Sequence, residues 1–589
     1  MYTLVLAEKP DQAREYAKAL SKDIEKQKSG TLVIRNSQYY PGEIHIVAAR
    51  GHIMDYDLKP DKRWSFAKLP IVNPDFTFKV ADSTDAKYRF KQIKQEANRA
   101  NLIIIGTDAD REGERIAYSI LSKLPMATRK KATKRLWVNS MTAKGIQHSF
   151  QSLKDASSTI NFYYEAEARA QADWLIGYNY SPAFTLDIEK QKLVGKKADS
   201  FSIGRVQTPA VKLVYDNDLA IKNFVSRPFW KITGLDEANQ VTFKSKALGK
   251  IMNKAKAEEI LAMISPQAQV VEVEHEDKQV SSDKLFNLTK LQAYGGKHWK
   301  KSGKQILDLC QSLYQKKYLT YPRTDCQYIT NLEFAYLKEN LAAYQKVLNL
   351  SFNAVNLQAR SKYVNDKKVQ EHFAIIPTDV VPNLADLAEL TADERLVYET
   401  VVKRTCLMFA ADYKYKLTRV IIKAGGVLLG TGGKQVVDLG FKQYLSESNS
   451  EPNQLLPNYQ VGQQLQIKPQ LTEDKTKVPN RITEAKLIGT LFPKYSLGTP
   501  ATRAGIIERI LEKKYVTKNG KGELYPTGKA EVLMNYLKAN SVADPNTTKI
   551  WEEGLKLIGQ GKLDGKLFVD KIQEEIVTQV NEIKAKYGK

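Results

Sequence analysis

The chain is poor in the residues that staple or metallate small domains. Three cysteines, Cys310, Cys326 and Cys406, and six histidines are scattered through 589 residues. No two cysteines stand at CxxC spacing, which excludes a zinc ribbon or finger, and three are too few for a disulfide framework. No stretch reads GxxxxGKS or GxxxxGKT, so a P-loop and ATP hydrolysis are not expected. Long hydrophobic runs are missing too. The longest, such as Leu102-Ile103-Ile104-Ile105, fall far short of a bilayer span. The first residues, Met1 to Lys9, lack the basic start and apolar stretch of a signal peptide, so a cytoplasmic protein is expected.

Acidic residues are also under-represented. Lysine and arginine number 90 against 66 aspartates and glutamates, a formal charge of +24. That excess points to a polyanionic partner, nucleic acid before membrane. Hydrophobic residues at 42% and charged residues at 26% describe an ordinary globular composition. The length exceeds what one core organises, so several domains are expected.

The first 150 residues alternate strand-like and helix-like patterns, the mark of an α/β layer. Thr3 to Leu6 reads as a strand, Asp11 to Leu20 as a helix, Leu102 to Ile105 as a strand buried on both faces, and Arg111 to Leu124 as its helix. Thr159 to about Phe224 is helical. Phe229 to Val280 alternates β-branched and aromatic residues with polar ones. Helical patterning returns from Leu288 to about Met408, a second β block runs from Tyr413 to about Ile467, and the end from Thr502 is helical. The two β blocks bracket a helical insert. If they form one domain, the insert is a lid carried on a β hinge; otherwise they are two unrelated β domains.

Two constellations carry chemistry. Directly after the Leu102–Ile105 strand comes Gly106-Thr107-Asp108-Ala109-Asp110-Arg111-Glu112-Gly113-Glu114. Ligands of open α/β sheets bind at the carboxyl ends of strands, and Asp108, Asp110 and Glu112 are hard oxygen ligands able to converge on Mg²⁺. An acid-x-acid-x-acid pattern should arise roughly once by chance in this chain, and acids at a helix start are favourable in any case. Glu8 and Lys9 end the first strand and share that sheet edge if both strands are central. Beside acidic neighbours Glu8 could carry a proton near neutral pH, and Lys9 could hold a phosphate. The second constellation is Tyr318-Leu319-Thr320-Tyr321-Pro322-Arg323-Thr324-Asp325. A tyrosine can attack a phosphodiester and store the cleaved bond as an ester, and an arginine can brace the phosphate. Among 30 tyrosines one Tyr-x-Arg decides nothing by itself. His372, beside the apolar run Phe373 to Ile376, reads as a structural histidine on spacing alone.

Taken together, the segments resemble the type IA DNA topoisomerases. Asp108 to Glu114 resembles the acidic motif of their Toprim domain, whose first strand ends in the glutamate matched by Glu8. Ser202-Ile203-Gly204-Arg205-Val206-Gln207-Thr208-Pro209 resembles the family's S-x-G-R-V-Q-S/T-P segment. Tyr318 to Asp325 resembles the active-tyrosine segment, and Gln370 to Thr378 its AHxAIxPT-like stretch, with Glu371 in place of the usual alanine. Gly498-Thr499-Pro500-Ala501-Thr502-Arg503-Ala504 resembles a motif near the end of the core. The matches run in family order along nearly the whole chain. Leu6 to Pro10 and Trp64 to Val72 look closer to the topoisomerase III branch. Cys326, where serine is common, and Thr499, where an arginine often stands in topoisomerase I, are departures.

The resemblance implies a multidomain α/β, α and β toroid. A Toprim (Rossmann-like) domain at 1–155 and a helical DNA-groove domain at 156–224 and 491–589 would hold the strand. A β hinge at 225–282 and 412–490 would carry a helical domain, 283–411, bearing the active tyrosine. It implies ATP-independent cleavage through a 5′-phosphotyrosine, strand passage and religation, relaxing negative supercoils and decatenating DNA. Tyr321 would be the nucleophile and Glu8 the proton carrier. Lys9 and Arg323 would stabilise the phosphate, and His372 would join the hydrogen bonds around it. Glu8, Asp108, Asp110 and Glu112 would hold Mg²⁺. Arg169, Asp173, Tyr178, Ser202, Arg205, Gln207 and Thr502 match groove positions, with Trp64 a further stacking platform. A nucleoid-associated monomer acting on single-stranded and on negatively supercoiled or catenated DNA is expected; the sequence does not reveal whether a helicase assists it. The rivals are a Toprim-type nuclease or primase, which needs no Tyr321, and a non-enzymatic single-strand-binding protein.

Overall fold

A computed structural model describes residues 2–587 apart from 59–62, 139–140, 142, 194–199, 246–247, 370–371, 446–452 and 539. The first strand, β1 (Tyr2–Ala7), is buried almost throughout. Pro10 opens α1 (Pro10–Leu20) at a position where its missing N–H costs nothing, and Asp11 stands in the first turn, where the helix dipole favours an acid. Next come β2 (Glu25–Lys26), β3 (Leu32–Ile34), β4 (Glu43–Ala48), α2 (Thr84–Arg99), β5 (Leu102–Gly106), α3 (Arg111–Ser122), β6 (Ala132–Arg135) and β7 (Lys154–Asp155). The strands form one seven-stranded sheet in the order β2-β3-β4-β1-β5-β6-β7. Strands β4, β1, β5 and β6 are parallel neighbours. Parallel sheets need cover on both faces, and α1 lies in one core while α2 and α3 lie in the other. The β1–β5 register pairs Ala7 with Gly106, so Glu8 and the acidic loop leave the sheet side by side at its carboxyl edge.

The chain continues through α4 (Ile160–Lys190) and α5 (Gln207–Lys222) into strands β8 (Pro228–Asp236), β9 (Val241–Lys244) and β10 (Gln267–Val280). The insert holds α6 (Leu288–His298), α7 (Gly303–Gln315) and α8 (Ala392–Cys406). Strands β11 (Tyr413–Ala424), β12 (Val427–Asp438) and β13 (Gln464–Lys475) follow, and then helices α9 (Pro500–Glu512), α10 (Pro545–Gly559) and α11 (Gly565–Tyr587). The two β blocks are one domain: they close a barrel in the order β8-β9-β12-β11-β10-β13, sealed by antiparallel pairing of Pro228–Asp236 with Ile467–Lys475. A helix at Lys254–Ala262, capped by Asn253, interrupts the first block, where the sequence pattern reads as β. It packs Ala257 on the barrel core, a tertiary contact that strand-like flanks do not announce. The insert has its own core, from Leu285 to Phe409. α4 and α5 share theirs with α9 to α11, so two distant segments build one helical body.

Candidate active site

The acidic loop is shaped from inside by Arg135 at the end of β6. Its Nε donates to Glu114 Oε1 at 2.5 Å, with both side chains fully buried. Its Nη1 donates to the carbonyls of Ile105, Thr107 and Leu136, and its Nη2 to that of Asp108. Gly113 lets the loop fold back: a Cβ there would lie 2.2 Å from the Asp108 carbonyl oxygen. Asp110 caps α3, its Oδ1 accepting from Gly113 N at 2.6 Å.

At the sheet edge Lys9 Nζ stands 2.7 Å from Glu8 Oε1 and 2.5 Å from Asp108 Oδ2. Gln12 completes this group: its Nε2 donates to Asp108 Oδ1 at 2.8 Å, and its Oε1 accepts from Glu8 N at 2.8 Å. Burial and the negative charge of Asp108 push the Glu8 carboxyl up to about 7, against the pull of Lys9. Asp110 is likewise raised, by burial and its acidic neighbours. Lys9 loses some basicity to burial but gains more from Asp108 and Glu8, and it stays charged.

Across the seam, Tyr321 presents its ring to Lys9, whose Nζ is 5.7 Å from the ring centroid. The tyrosine segment is fastened to the histidine stretch. Thr320 N donates to Ile376 O at 3.0 Å, Thr320 Oγ1 to Ala374 O at 3.1 Å, and Thr324 Oγ1 to His372 O at 3.3 Å. The His372 ring lies 4.6 Å from that of Tyr321, and burial lowers its basicity, leaving a neutral imidazole. Burial raises the Tyr321 phenol, with Lys9 and Arg323 pulling it down. Arg323 is exposed beside it. Gln370 and Glu371 of the same stretch lie outside the described residues.

The expected acidic ligand set is split. Glu112 turns away from the aspartates toward Arg169 Nη1 at 3.2 Å and His52 Nε2 at 3.5 Å. Burial would raise its carboxyl, but His52 and Arg169 outweigh that and hold it down at about 2. Among the described residues no group of three or more Asp, Glu, His or Cys stands as a metal cage. The chemistry nonetheless suits a dication: the carboxyl groups of Glu8, Asp108 and Asp110 gather at this edge around the ammonium of Lys9. Asp108, Asp110 and Glu8 are the oxygens available to one.

The groove residues divide into two sets. Trp64, Tyr178 and Thr502 are exposed, and the Tyr178 ring lies 4.5 Å from that of Trp174, tilted by 33°. Ser202 and Gln207 are half-buried, with Gln207 Nε2 donating to the Ser202 carbonyl. Arg205, expected to line the groove, is buried; Asp173 Oδ1 at 2.8 Å and Glu552 Oε1 at 2.7 Å neutralise it. It braces the groove from behind. Glu552 Oε2 also accepts from Arg111, and Arg169 reaches Glu112 and Asp173, so alternating charges join the acidic loop to the groove. Sequence reading missed Gln12, Arg135 and Glu552. Gln12 lies four residues from Glu8 on a helix start, a spacing that would have flagged it; the other two carried no local signal.

A DNA topoisomerase family model matches residues 157–570 and a Toprim domain model residues 3–141. DNA topoisomerase 3 of Bacillus cereus is 31% identical, over 99% of this chain and 82% of that protein. DNA topoisomerase 3 of Bacillus subtilis is 31% identical with the same coverage. Full-length topoisomerase I from Thermotoga maritima, at 22% identity, superposes with a TM-score of 0.67 over 98% of this chain and 90% of that one, so the toroidal fold is common to both. The chain belongs to the type IA DNA topoisomerases, on their topoisomerase III side.

Proposed function

We propose that Tyr321 is the nucleophile of this topoisomerase and that Glu8, Lys9, Arg323 and His372 serve it. The observation that carries the reading is the meeting of Lys9 and Tyr321 across the seam, since each comes from a different domain and neither has a structural need of the other. Tyr321 Oη attacks the scissile phosphorus, the bond from phosphorus to the 3′ oxygen breaks, and the strand's 5′ phosphate stays on the tyrosine. Glu8, protonated near neutral pH, gives its proton to the departing 3′ oxygen. The phenol's own proton passes to solvent water in the cleft; on religation the 3′ hydroxyl returns its proton to Glu8 and the leaving phenolate takes one back from water. Lys9 and Arg323 balance charge on the phosphate, and neutral His372 completes the hydrogen-bonding surround. The ester conserves the cleaved bond, so no nucleotide is consumed. Type IA enzymes and Toprim domains generally use Mg²⁺. Asp108 and Asp110 would hold it, and it would add positive charge near the phosphate.

Strand passage needs the ring to open. Among the described residues no hydrogen bond or ion pair joins residues 2–138 to residues 285–409. Instead a cleft of about 1090 Å³ lies between them, walled by Arg14, Lys18, Tyr314, Lys317, Tyr321 and His372. The seam is the weak point of the ring, and the barrel between the domains is the pivot. The test is relaxation of a negatively supercoiled plasmid without ATP. Tyr321→Phe should abolish it while leaving single-strand binding intact. Relaxation that persists in Tyr321→Phe would remove the tyrosine assignment.

A further inference from the structure

Arg503, partly buried, follows Thr502 in the first turn of α9, and its setting differs from that of five other largely buried guanidinium groups. Arg111, Arg115, Arg135, Arg205 and Arg481 each lie within 3.1 Å of a carboxylate oxygen. Among the described residues no acid stands within ion-pair distance of Arg503. Its Nη1 donates to a neutral hydroxyl, Thr289 Oγ1, at 2.7 Å, and its Nε is buried without an acceptor. Burial drives its basicity down to about 10, with Asp325 the acid that pulls the other way. A charge removed from water and left uncompensated is costly unless something supplies the counter-charge.

Its location says what that is. Thr289 is the second residue of α6, whose start is built on the tyrosine segment: Leu288 N donates to Thr324 O at 3.1 Å and Asn287 Nδ2 to Asp325 O at 2.7 Å. Arg503 therefore bridges the groove helices and the tyrosine-bearing domain, with exposed Thr502 beside it. We propose that Arg503 binds a backbone phosphate of the cleaved strand where it passes from the groove to Tyr321. Its Nη2, which makes no hydrogen bond among the described residues and is not fully buried, leaves one edge of the planar guanidinium able to meet a phosphate oxygen. Arg503 touches no reacting atom; it positions the strand, and through Thr289 it couples strand occupancy to closure of the tyrosine domain on the groove. The inference rests on the topoisomerase reading above.

The test is the salt dependence of binding of a fluorescent single-stranded oligonucleotide, without metal, to wild type, Arg503→Gln and Arg503→Lys. Loss of one phosphate contact should make the log–log slope of Arg503→Gln shallower by about 0.7 and weaken binding about tenfold at ~0.1 M salt. Arg503→Lys, which keeps the charge, should keep the wild-type slope. A folded Arg503→Gln with an unchanged slope overturns the proposal. Wild-type protein gives a second readout that does not depend on the variants folding. The oligonucleotide should protect Arg503 from phenylglyoxal, measured by peptide mass, and equal modification with and without strand overturns the proposal as well. A wild type that neither binds nor cleaves the strand would instead sink the topoisomerase reading, so the two failures are distinguishable.

Discussion

Asp108 is held from three sides: Lys9 and Gln12 take its carboxylate oxygens, and Arg135 takes its carbonyl. This is how a loop at a sheet edge becomes a fixed charge array. Gly113→Ala should cut cleavage strongly with little change in melting temperature, because a Cβ 2.2 Å from the Asp108 carbonyl displaces the loop and leaves the sheet intact. Cleavage at the wild-type rate would contradict the close approach. Arg135→Met should be far worse for stability. It strands Glu114 in a fully buried site and removes a donor from four carbonyls, of which, among the described residues, only that of Ile105 keeps another, a loss of about 3–5 kcal/mol readable as an earlier first unfolding transition. Glu8, the acidic run and Tyr321 were legible as residue types beside a buried strand or within a recognisable segment. Arg135 was not, since an arginine closing an amphipathic strand reads as a surface charge. The burial of Arg205 was not legible either: its motif suggests a groove contact, and Asp173 and Glu552, far apart in sequence, draw it inside.

The tyrosine segment owes its position to the helices beneath it. Glu394, in the capping box of α8, accepts from Lys316 Nζ at 2.8 Å and Ser312 Oγ at 2.5 Å, and so locks α8 to the end of α7, just before Tyr318. Burial would raise its carboxyl, but Lys316, Ser312 and Thr391 outweigh burial and hold it down at about 2. A depressed pKa means stabilisation that is full above the unfolded value of about 4.5 and is lost as pH falls toward 2. Glu394→Gln should therefore destabilise the insert by about 1–2 kcal/mol at neutral pH, and its deficit in melting temperature should shrink as pH drops from 5 toward 2. A deficit independent of pH would refute the charge-based account. Strand existence was legible in both β blocks from alternation. Their closure into one barrel was not, because the pairing of Pro228–Asp236 with Ile467–Lys475 is a long-range register that no local pattern encodes.

Across the whole molecule, an excess of positive charge and a ring with one weak seam answer to the same substrate. Single-strand binding should weaken with salt at a slope of about −0.7 per phosphate neutralised, and a flat response would argue against a basic groove. Chelation of divalent metal should stop relaxation while leaving that binding in place, because the aspartates lie at the sheet edge and the groove residues are supplied by the helices. Loss of binding on chelation would show that metal organises the groove itself. The family was readable from five motifs in sequence; the seam was not, being defined by contacts that are missing among the described residues. The central claim, that Tyr321 conserves the broken bond as an ester, is tested most directly by cleavage of a single-stranded oligonucleotide labelled at either end and quenched with denaturant. The account predicts a covalent adduct that retains the 3′-side fragment and disappears in Tyr321→Phe. Cleavage that leaves no adduct, or an adduct that survives the substitution, would contradict it.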